Sequence, residues 1–540
     1  MKPMDVPDNP DLDRLVKDAA RSIEGDLIAL AYSSEREGNL RILAVVEEFS
    51  RDFTRRAKRI DGYETVLLLV DRVLFESDVK ESSLLEIGAS ILLLPHRTLL
   101  GEEYLARCER EYRKRKVRDS ISALVLDHPE LSREFVIDER YFLHDVASKA
   151  SRIFNGAGVA MLTERSEGLM DGYRSTLKDL EHDGVVRYVD SCRVAIDTGF
   201  IDSVSRQGLM LPAPLVEAQS QLSRLVGLGL KGLMELLQPL PGTQAWVPAP
   251  VKLDHLNPDR FLLFSTAAGF TSLSDTTRLE DVVVRLFPSA KKGEISTERL
   301  GGALNEVYLL SGGEVSDWRV VLKCFPTWVD LKWAPLALWT LGTQNFAIQG
   351  RMRMERECAT TSLLSREGIA VPEILYTDFQ ERLILKEYIE GVDMVSHLKS
   401  AFRRGEPDKT ESELFRMAGE LVAAVHGIGH TLGDCKPANF IVADDGLHVV
   451  DLEQGARGGD RAWDLAEFLL FSGHYFGPLD PLSGVSELAH GFLTGYIDGG
   501  GERRHVAEAS KIKYTRVFVP LTLPQVIYTI AKVCKAIGAG

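Results

Sequence analysis

The spacing of apolar residues changes along the first 155 positions. Leu12, Leu15, Ala19 and Ile23 recur at helical spacing, which predicts an amphipathic helix over 11–24. Runs of apolar and β-branched residues then predict strands. These runs are 27–32, 40–46, 66–70 and 91–94. Strands mixed with helices indicate an α/β unit up to about residue 105, followed by a helical region at 104–155.

A second pattern extends over 156–250. Two helical patterns precede two short strand-like runs, in the order 159–162, 169–180, 183–189 and 192–196. A helix followed by such a hairpin resembles a winged helix. Residues 213–238 have helical spacing, and the prolines at 239, 241, 248 and 250 predict a linker that closes this region.

From residue 283 onward, the residue types that phosphoryl transfer requires follow one another in order. Residues 300–308 have the pattern of a strand, a glycine turn and a strand. Gly301 and Gly302 would let backbone N–H groups approach phosphate oxygens closely. A plain hairpin is the alternative interpretation of this segment.

The β-branched run 319–325 carries one inward lysine, Lys323. Its position after the glycine turn indicates a phosphate-binding lysine, although an edge-strand lysine that blocks aggregation has the same pattern. Glu357, in a predicted helix that ends before Gly368, is the candidate ion-pair partner of Lys323. Glu355 competes for that role, and either glutamate could simply be solvated.

A strand at 383–391 is placed to supply the hinge against which adenine lies. We expect the backbone of Glu387 and Ile389 to bind the base. An ordinary strand is again the alternative.

The most specific motif is the segment 433–442, in which Asp434 is followed by Lys436 and Asn439 and then by an apolar strand. An Asp separated from an Asn by four residues is typical of the catalytic loop of kinases. Asp434 would orient the attacking hydroxyl group, and Lys436 would reach the transferred phosphoryl group. The amide oxygen of Asn439 is a ligand type that Mg²⁺ accepts.

Asp451 follows 17 positions after Asp434, at the end of a second apolar strand. Alone it could be a turn carboxylate, but at this interval it is the candidate second metal ligand. We expect Asp464 to hold the catalytic loop from inside, and Asp460 to cap a helix.

Composition narrows the choice of partners. The formal net charge is −15 and the pI is about 5.4, which excludes a wholesale nucleic-acid coat. The basic run 107–116 is interpreted as a solvated helix face, with a contact to nucleic acid or a protein as the alternative. Six scattered cysteines without paired spacing argue against a zinc site or a disulfide framework, and favour a reducing cytoplasm.

No membrane partner is expected. The start of the sequence has no apolar signal segment. The most apolar stretch, 222–237, contains Arg224, Lys231 and Glu235, so it predicts an amphipathic helix and not a membrane span.

Together the motifs of 283–540 resemble the atypical protein kinases. The arginines at 351–356 and the segment 368–372 are similar to those of the kinase subunit of the KEOPS tRNA-modification complex; the RIO kinases are more distant, and aminoglycoside and choline phosphotransferases share the core. The resemblance implies a bilobal fold, ATP and Mg²⁺ as cofactors, and a protein substrate phosphorylated on Ser or Thr. Two departures are Leu432 at the usual histidine position and Glu453 in place of a glycine.

The N-terminal 155 residues resemble a nucleotidyltransferase domain, with Ser33 and Ser34 where that fold has a Gly-Ser turn. The metal carboxylates expected near Asn39 and Arg41 are absent, which implies an inactive domain. The predicted fold class is therefore α+β: a nucleotidyltransferase-like α/β domain, a small winged-helix-like unit, and a kinase-like domain.

Three functions remain open from the sequence. The first is an atypical Ser/Thr protein kinase, the second a small-molecule kinase, and the third an ATP-binding or ATPase regulatory module. In the third, the N-terminal domains would bind nucleic acid or a protein.

Overall fold

A computed structural model describes most of the chain. The described residues are 9–21, 23, 25–34, 39–49, 53–84, 86–93, 96–151, 166–207, 257–291, 293–300, 306–312, 318–326, 340, 342–344, 346–404 and 407–539. They divide between two compact units, Met1–Leu263 and Phe264–Gly540. The predicted helices at 159–162 and 213–238 and the predicted linker lie outside the described residues.

The N-terminal unit contains both helices and strands. Its helices are α1 (Pro10–Ala20), α2 (Arg72–Glu81), α3 (Glu102–Asp127), α4 (Arg140–Ser151), α5 (Ser166–His182) and α6 (Thr198–Gln207). Its strands are β1 (Asp26–Ser34), β2 (Asn39–Glu47), β3 (Phe53–Ile60), β4 (Tyr63–Asp71), β5 (Arg97–Leu100), β6 (Phe135–Asp138), β7 (Val186–Tyr188) and β8 (Arg193–Ile196).

The first five strands form one sheet in the order β3-β4-β2-β1-β5, in which only β2 and β4 are parallel. Because side chains alternate along a strand, β1 serves two cores. Leu30 and Tyr32 pack with α1, while Ala29 and Ala31 belong to the cluster that includes α2 and α3. The sheet is therefore covered by helices on both faces.

Three sequence predictions for this unit are wrong. Residues 91–93 of the strand predicted at 91–94 belong to a 3₁₀ helix, Ala89–Leu93, whose start is fixed by a hydrogen bond from the backbone N–H of Ala89 to buried Asp78 (2.9 Å). The helical region 104–155 is interrupted by β6 between α3 and α4. Ser33 and Ser34 lie within β1 and not in a turn.

The basic run also differs from its prediction as a solvated face. It lies on α3, and its second half is partly buried and paired with carboxylates. Arg115 and Lys116 contact Glu86 at 2.7 and 3.1 Å, and Lys114 contacts Asp183 at 2.7 Å. These cations neutralise carboxylates within their own unit.

The region predicted as a winged helix contains the expected hairpin. β7 and β8 pair antiparallel after α5, and β8 also pairs with β6. Asp190 closes the turn by accepting hydrogen bonds from the N–H groups of Cys192 and Arg193 (3.0 and 2.9 Å). The assignment to the winged-helix and nucleotidyltransferase classes stays a prediction.

The C-terminal unit has strands at its start and helices at its end. Its strands, the first of which begins just before the unit boundary, are β9 (Leu262–Thr266), β10 (Gly269–Ser272), β11 (Ser296–Arg299), β12 (Glu306–Ser311), β13 (Arg319–Cys324), β14 (Ile374–Asp378), β15 (Leu383–Glu387), β16 (Gly391–Asp393), β17 (His430–Thr431), β18 (Phe440–Ala443), β19 (Gly446–Val449) and β20 (Ala456–Arg457). Its helices are α7 (Leu279–Leu286), α8 (Gly350–Arg366), α9 (Met394–Arg404), α10 (Lys409–Gly427), α11 (Arg461–His474), α12 (Leu482–Asp498), α13 (Arg503–Ala509), α14 (Ile512–Phe518) and α15 (Pro524–Ala539).

The first part of this unit is an antiparallel sheet in the order β11-β12-β13-β15-β14. One face of the sheet packs on α7 through a cluster that contains Val283, Leu322 and Leu385. Lys323 has the opposite parity on β13, so its side chain leaves the other face. That face meets α8.

The second part is built on helices. A large apolar cluster joins α10, α11, α12 and α15, with Phe468 and Phe492 stacked at 4.2 Å between ring centroids. The small sheet β16-β18-β19 and the pair β17-β20 lie beside this core. They carry the segments on which Asp434 and Asp451 lie. In the part of the chain that the structure describes, no helix combines the length and apolar character needed to cross a membrane.

Candidate active site

Strand register brings two lysines to the same face of the C-terminal sheet. Lys323 of β13 is paired with Ile384 of β15, and Val321 is paired with Lys386. Directly paired residues project to the same side of a sheet, as do residues two apart on one strand. Lys323 and Lys386 therefore both project toward α8, and both are about 4% exposed.

Glu357 of α8 meets both lysines. Its Oε2 lies 3.0 Å from the Nζ of Lys323, and its Oε1 lies 2.5 Å from the Nζ of Lys386. Lys386 also donates to the hydroxyl of Thr361 at 3.4 Å. Glu355, the competing candidate, is instead paired with Arg351 along the same helix at 2.9 Å.

Lys323 extends this cluster to the segment after β19. Its ammonium is hydrogen-bonded to Asp451 and lies 3.1 Å from Oε2 of Glu453. Arg353 of α8, which is buried, approaches the other oxygen of Glu453 at 3.5 Å. The structure thus joins one lysine to three carboxylates from two distant segments of the sequence, Glu357 in one and Asp451 with Glu453 in the other.

The electrostatics of this cluster follow from burial and pairing. Burial alone would raise the pKa of Asp451, but the Lys323 and Lys436 ammonium groups outweigh it and hold that pKa below its ordinary value. Burial raises the pKa of Glu453 to about 7. Burial opposes the charge of Lys323 as well, yet Asp451, Glu357 and Glu453 raise the pKa of Lys323 well above its usual range.

The segment after β17 carries the second group of predicted residues. Asn439 donates from its amide nitrogen to the backbone oxygen of Asp434 (2.8 Å) and to its carboxylate (3.2 Å). The Nζ of Lys436 lies 2.7 Å from the same carboxylate. Backbone pairing continues to the Asp451 segment, because the N–H of Val450 donates to the carbonyl of Asn439 at 2.9 Å.

Two buried carboxylates of α11 hold this loop from below. Asp464 accepts hydrogen bonds from the backbone N–H groups of Leu432 and Gly433, both at 2.8 Å. Glu467 accepts from the N–H of Cys435 at 2.7 Å. Burial and, after it, the nearby charge of Asp434 raise the pKa of Glu467 well above its ordinary value.

The donor set near Asp451 suits a hard cation. Since the amide nitrogen of Asn439 is occupied by Asp434, the amide oxygen is the atom left for a ligand. The carboxylate of Asp451 is held in its charged form, and carboxylate and amide oxygens are what Mg²⁺ prefers. Among the described residues, no group of three or more His, Cys, Asp or Glu side chains is arranged to hold a metal, so these two oxygens would need phosphate or water oxygens to complete the shell.

The remaining predicted residues are placed less completely. Glu387 ends β15, and its carboxylate accepts from the backbone N–H of Glu373 at 3.2 Å. Ile389 follows in the short segment between β15 and β16. Gly301 and Gly302 lie outside the described residues. The roles of all these residues in binding or catalysis stay predictions.

Sequence reasoning missed three buried groups: Lys386, Arg353 and Glu467. Lys386 could have been found from the alternation of side chains along an apolar strand. Leu383 and Leu385 share one face of the sheet, and Lys386 therefore projects from the opposite face. The contacts of Arg353 and Glu467 are long-range, and a single charged residue in a helix gives no signal of that kind.

Comparison with known proteins gives structural likenesses only. No protein-family profile and no curated protein matches the chain. Solved structures that it resembles include WaaP in complex with acyl carrier protein, at 15% identity and a TM-score of 0.28, over 48% of this chain and 98% of that one. The PknI kinase domain of Mycobacterium tuberculosis is matched at 16% identity and a TM-score of 0.27, over 46% and 97%.

The C20A mutant of the same PknI kinase domain is matched at 16% identity and a TM-score of 0.26, over 46% of this chain and 96% of that one. At TM-scores this low, the likeness by itself supports no conclusion about fold or function. Any such conclusion depends on the geometry of the site.

Proposed function

We propose that the C-terminal unit is a protein-kinase-like phosphotransferase that uses ATP and Mg²⁺. One observation carries the proposal: Lys323, on a strand of the antiparallel sheet, is paired with both Glu357 of α8 and Asp451 of the loop after β19. Catalysis of phosphoryl transfer is mainly positioning and charge neutralisation. A buried lysine between a helix carboxylate and a potential metal carboxylate serves both purposes.

The proposed roles follow from the contacts. Lys323 would move from Asp451 to the phosphates, and Glu357 would hold it there. Asp434 would orient the acceptor hydroxyl and accept its proton, and Lys436, 2.7 Å from Asp434, would lie beside the transferred group. Mg²⁺, held by Asn439 and Asp451, would neutralise charge on the phosphates when bound.

The acceptor is proposed to be a Ser or Thr hydroxyl of a protein. A small-molecule alcohol is the second candidate, and the short connection from Asp451 to α11 favours it. Only residues 452–460 lie between them, including the short strand β20. That length leaves little chain for a peptide-docking segment.

Incubation with γ-labelled ATP tests the proposal and separates the acceptors. Wild type should transfer label either to generic protein substrates or to small alcohols. Asp434→Asn should lose transfer by at least 100-fold while still binding nucleotide, because the carboxylate that orients the hydroxyl is gone. Asp451→Asn, which suits the left-handed backbone of that residue (φ 60°), should lose Mg²⁺-dependent binding.

The matched control is Asp444→Asn, since Asp444 is exposed in the turn between β18 and β19. This variant should behave as wild type. Unchanged turnover and Mg-ATP affinity in Asp451→Asn would refute the assignment. Release of phosphate to water alone would favour the ATPase regulatory module.

A narrower assignment rests on sequence alone. The likeness to the KEOPS-complex kinase subunit and the RIO kinases stays a prediction, as does a protein or nucleic-acid partner for the N-terminal unit. Since Lys114, Arg115 and Lys116 are already paired within their unit, these three basic side chains do not support a nucleic-acid contact.

A further inference from the structure

Glu357 has a second cation partner that the proposed mechanism does not use. Each of its carboxylate oxygens is engaged by a different lysine: Oε2 by Lys323 at 3.0 Å and Oε1 by Lys386 at 2.5 Å. The two lysines come from separate strands of one sheet. All three side chains are buried.

The two lysines differ in what else they contact. Lys323 is shared among Glu357, Asp451 and Glu453. Lys386 contacts only α8 among the partners described for it, through Glu357 and Thr361. One ammonium is therefore placed to exchange partners, while the other ties the strand β15 to the helix α8.

The difference matters when Lys323 is drawn to a phosphate. A buried carboxylate that loses its only cation is strongly destabilised, since desolvation of the charge is no longer compensated. Glu357 would face that cost each time Lys323 turned to the nucleotide. Lys386 would remove that cost, because its ammonium stays bound to Oε1 of Glu357.

We propose that Lys386 is a positioning residue: it holds Glu357 and α8 in place, so that Lys323 is free to bind the phosphates. This inference rests on the proposed function for its catalytic consequence, but the clamp on α8 exists without it. Lys386 itself touches neither nucleotide nor acceptor in this assignment. Residues 387–389, the expected base-binding segment, begin directly after it.

If Lys386 were only a structural counterion, a different effect of Lys386→Met would be expected. The substitution would lower stability and reduce the amount of folded enzyme, leaving the KM of the folded fraction unchanged. A positioning residue changes the KM for ATP, because in Lys386→Met the single remaining lysine must serve both Glu357 and the phosphates. Lys386→Arg keeps the charge and should restore most of the affinity.

The test is a double-mutant cycle on the full chain with Lys386→Met, Glu357→Gln and the double variant. We expect Lys386→Met to raise the KM for ATP about tenfold, the effect of losing one favourable ion pair, with kcat changed less than threefold. In the Glu357→Gln background the same change should have less than a twofold effect. Lys399→Met, at an exposed lysine of α9, should change neither value.

Equal effects of Lys386→Met in both backgrounds, or no effect on KM, would overturn the inference. Hydrogen exchange of residues 350–366 without nucleotide gives an independent readout. Lys386→Met should speed exchange there at least tenfold relative to wild type, and Lys399→Met should not. If the wild type neither binds nor turns over ATP, the proposed function fails, while this exchange result still decides whether Lys386 holds α8.

Discussion

Buried charge at single residues is the strongest indication of function in this protein. Lys323, Lys386 and Arg353 share a small volume with Glu357, Asp451 and Glu453, each of them within 4 Å of an opposite charge. Replacing such a cluster with apolar residues often costs no stability. A cluster of this kind is therefore weak evidence for a structural role, and the clustering of perturbed pKa values at functional sites favours chemistry.

His430 makes a separate residue-scale prediction about acid stability. It is buried, and its Nε2 lies 3.1 Å from the hydroxyl of Thr360 on α8. Burial, with the nearby charges of Arg457 and Arg356, lowers the pKa of His430 to about 4. An unfolded imidazole takes its proton near pH 6.5, so between these pH values the unfolded chain binds more protons.

Stability should therefore fall as the pH drops from about 6.5 toward 4, by up to about 3 kcal/mol from this residue. Denaturant unfolding at pH 7.5 and pH 5 measures the effect. His430→Gln should show a smaller loss than wild type over this interval. A pH dependence identical in the two proteins would show that His430 is not buried in its neutral form.

At the scale of elements, close backbone approach fixes the loop that carries Asp434. Gly433 has φ 72°, and a Cβ placed there would lie 2.3 Å from the carbonyl oxygen of Gln454. Gln454 in turn bonds both backbone groups of Ala347 ahead of α8, at 2.7 and 3.2 Å. The loop after β17, the loop after Asp451 and the start of α8 are thus held together by hydrogen bonds and by one glycine contact.

Gly433→Ala should disturb this arrangement by clash, in addition to backbone strain. Gly429 is the matched control, because it has nearly the same φ (76°) and nothing within 4 Å of the added Cβ. We expect Gly429→Ala to cost about 1 kcal/mol, the strain of a left-handed residue. Gly433→Ala should cost roughly 2 kcal/mol more, since two backbones must separate.

Urea unfolding of the two variants measures both costs. Gly433→Ala should also weaken nucleotide binding, while Gly429→Ala should not. Equal losses of stability would mean that the contact with Gln454 is absent.

On the scale of the whole molecule, the chain divides into two compact units, each of which has apolar clusters of its own. The apolar clusters on the two faces of the β1–β5 sheet lie in the first unit, and those beneath the β11–β15 sheet and among α10–α15 lie in the second. All proposed ligand contacts belong to the second unit. A ligand that binds only the folded state stabilises the unit that holds it.

Calorimetry of the full chain should therefore show a transition that Mg-ATP raises and one that it does not. At 100 times the Kd, binding contributes about 2.7 kcal/mol, or roughly 5–10 °C for a unit of this size. Asp451→Asn should abolish the shift, and Asp444→Asn should keep it. Hydrogen exchange identifies which unit unfolds in each transition. If Mg-ATP shifts both transitions equally, or shifts neither, the result would contradict the location of the site.

The sequence by itself determined the elements that periodicity and local motifs specify. The strands predicted at 27–32, 40–46 and 66–70 lie within β1, β2 and β4. The motifs also predicted the residues of the candidate site, which are Lys323, Glu357, Asp434, Asn439 and Asp451. Local rules failed where a distant group decided the conformation. Residues 91–93 of the strand predicted at 91–94 lie in a 3₁₀ helix, whose first residue, Ala89, donates its N–H to Asp78.

Only the tertiary structure decided how the charges are paired. One lysine meets three carboxylates, a second lysine shares Glu357, and the basic run of α3 binds carboxylates of its own unit because folding places them within 4 Å. Residue types and intervals fix which charges are available. The packing of strands and helices fixes which of them meet. Coulomb attraction is strong only between charges a few ångströms apart, and only the tertiary structure brings charges that are distant in the sequence that close together.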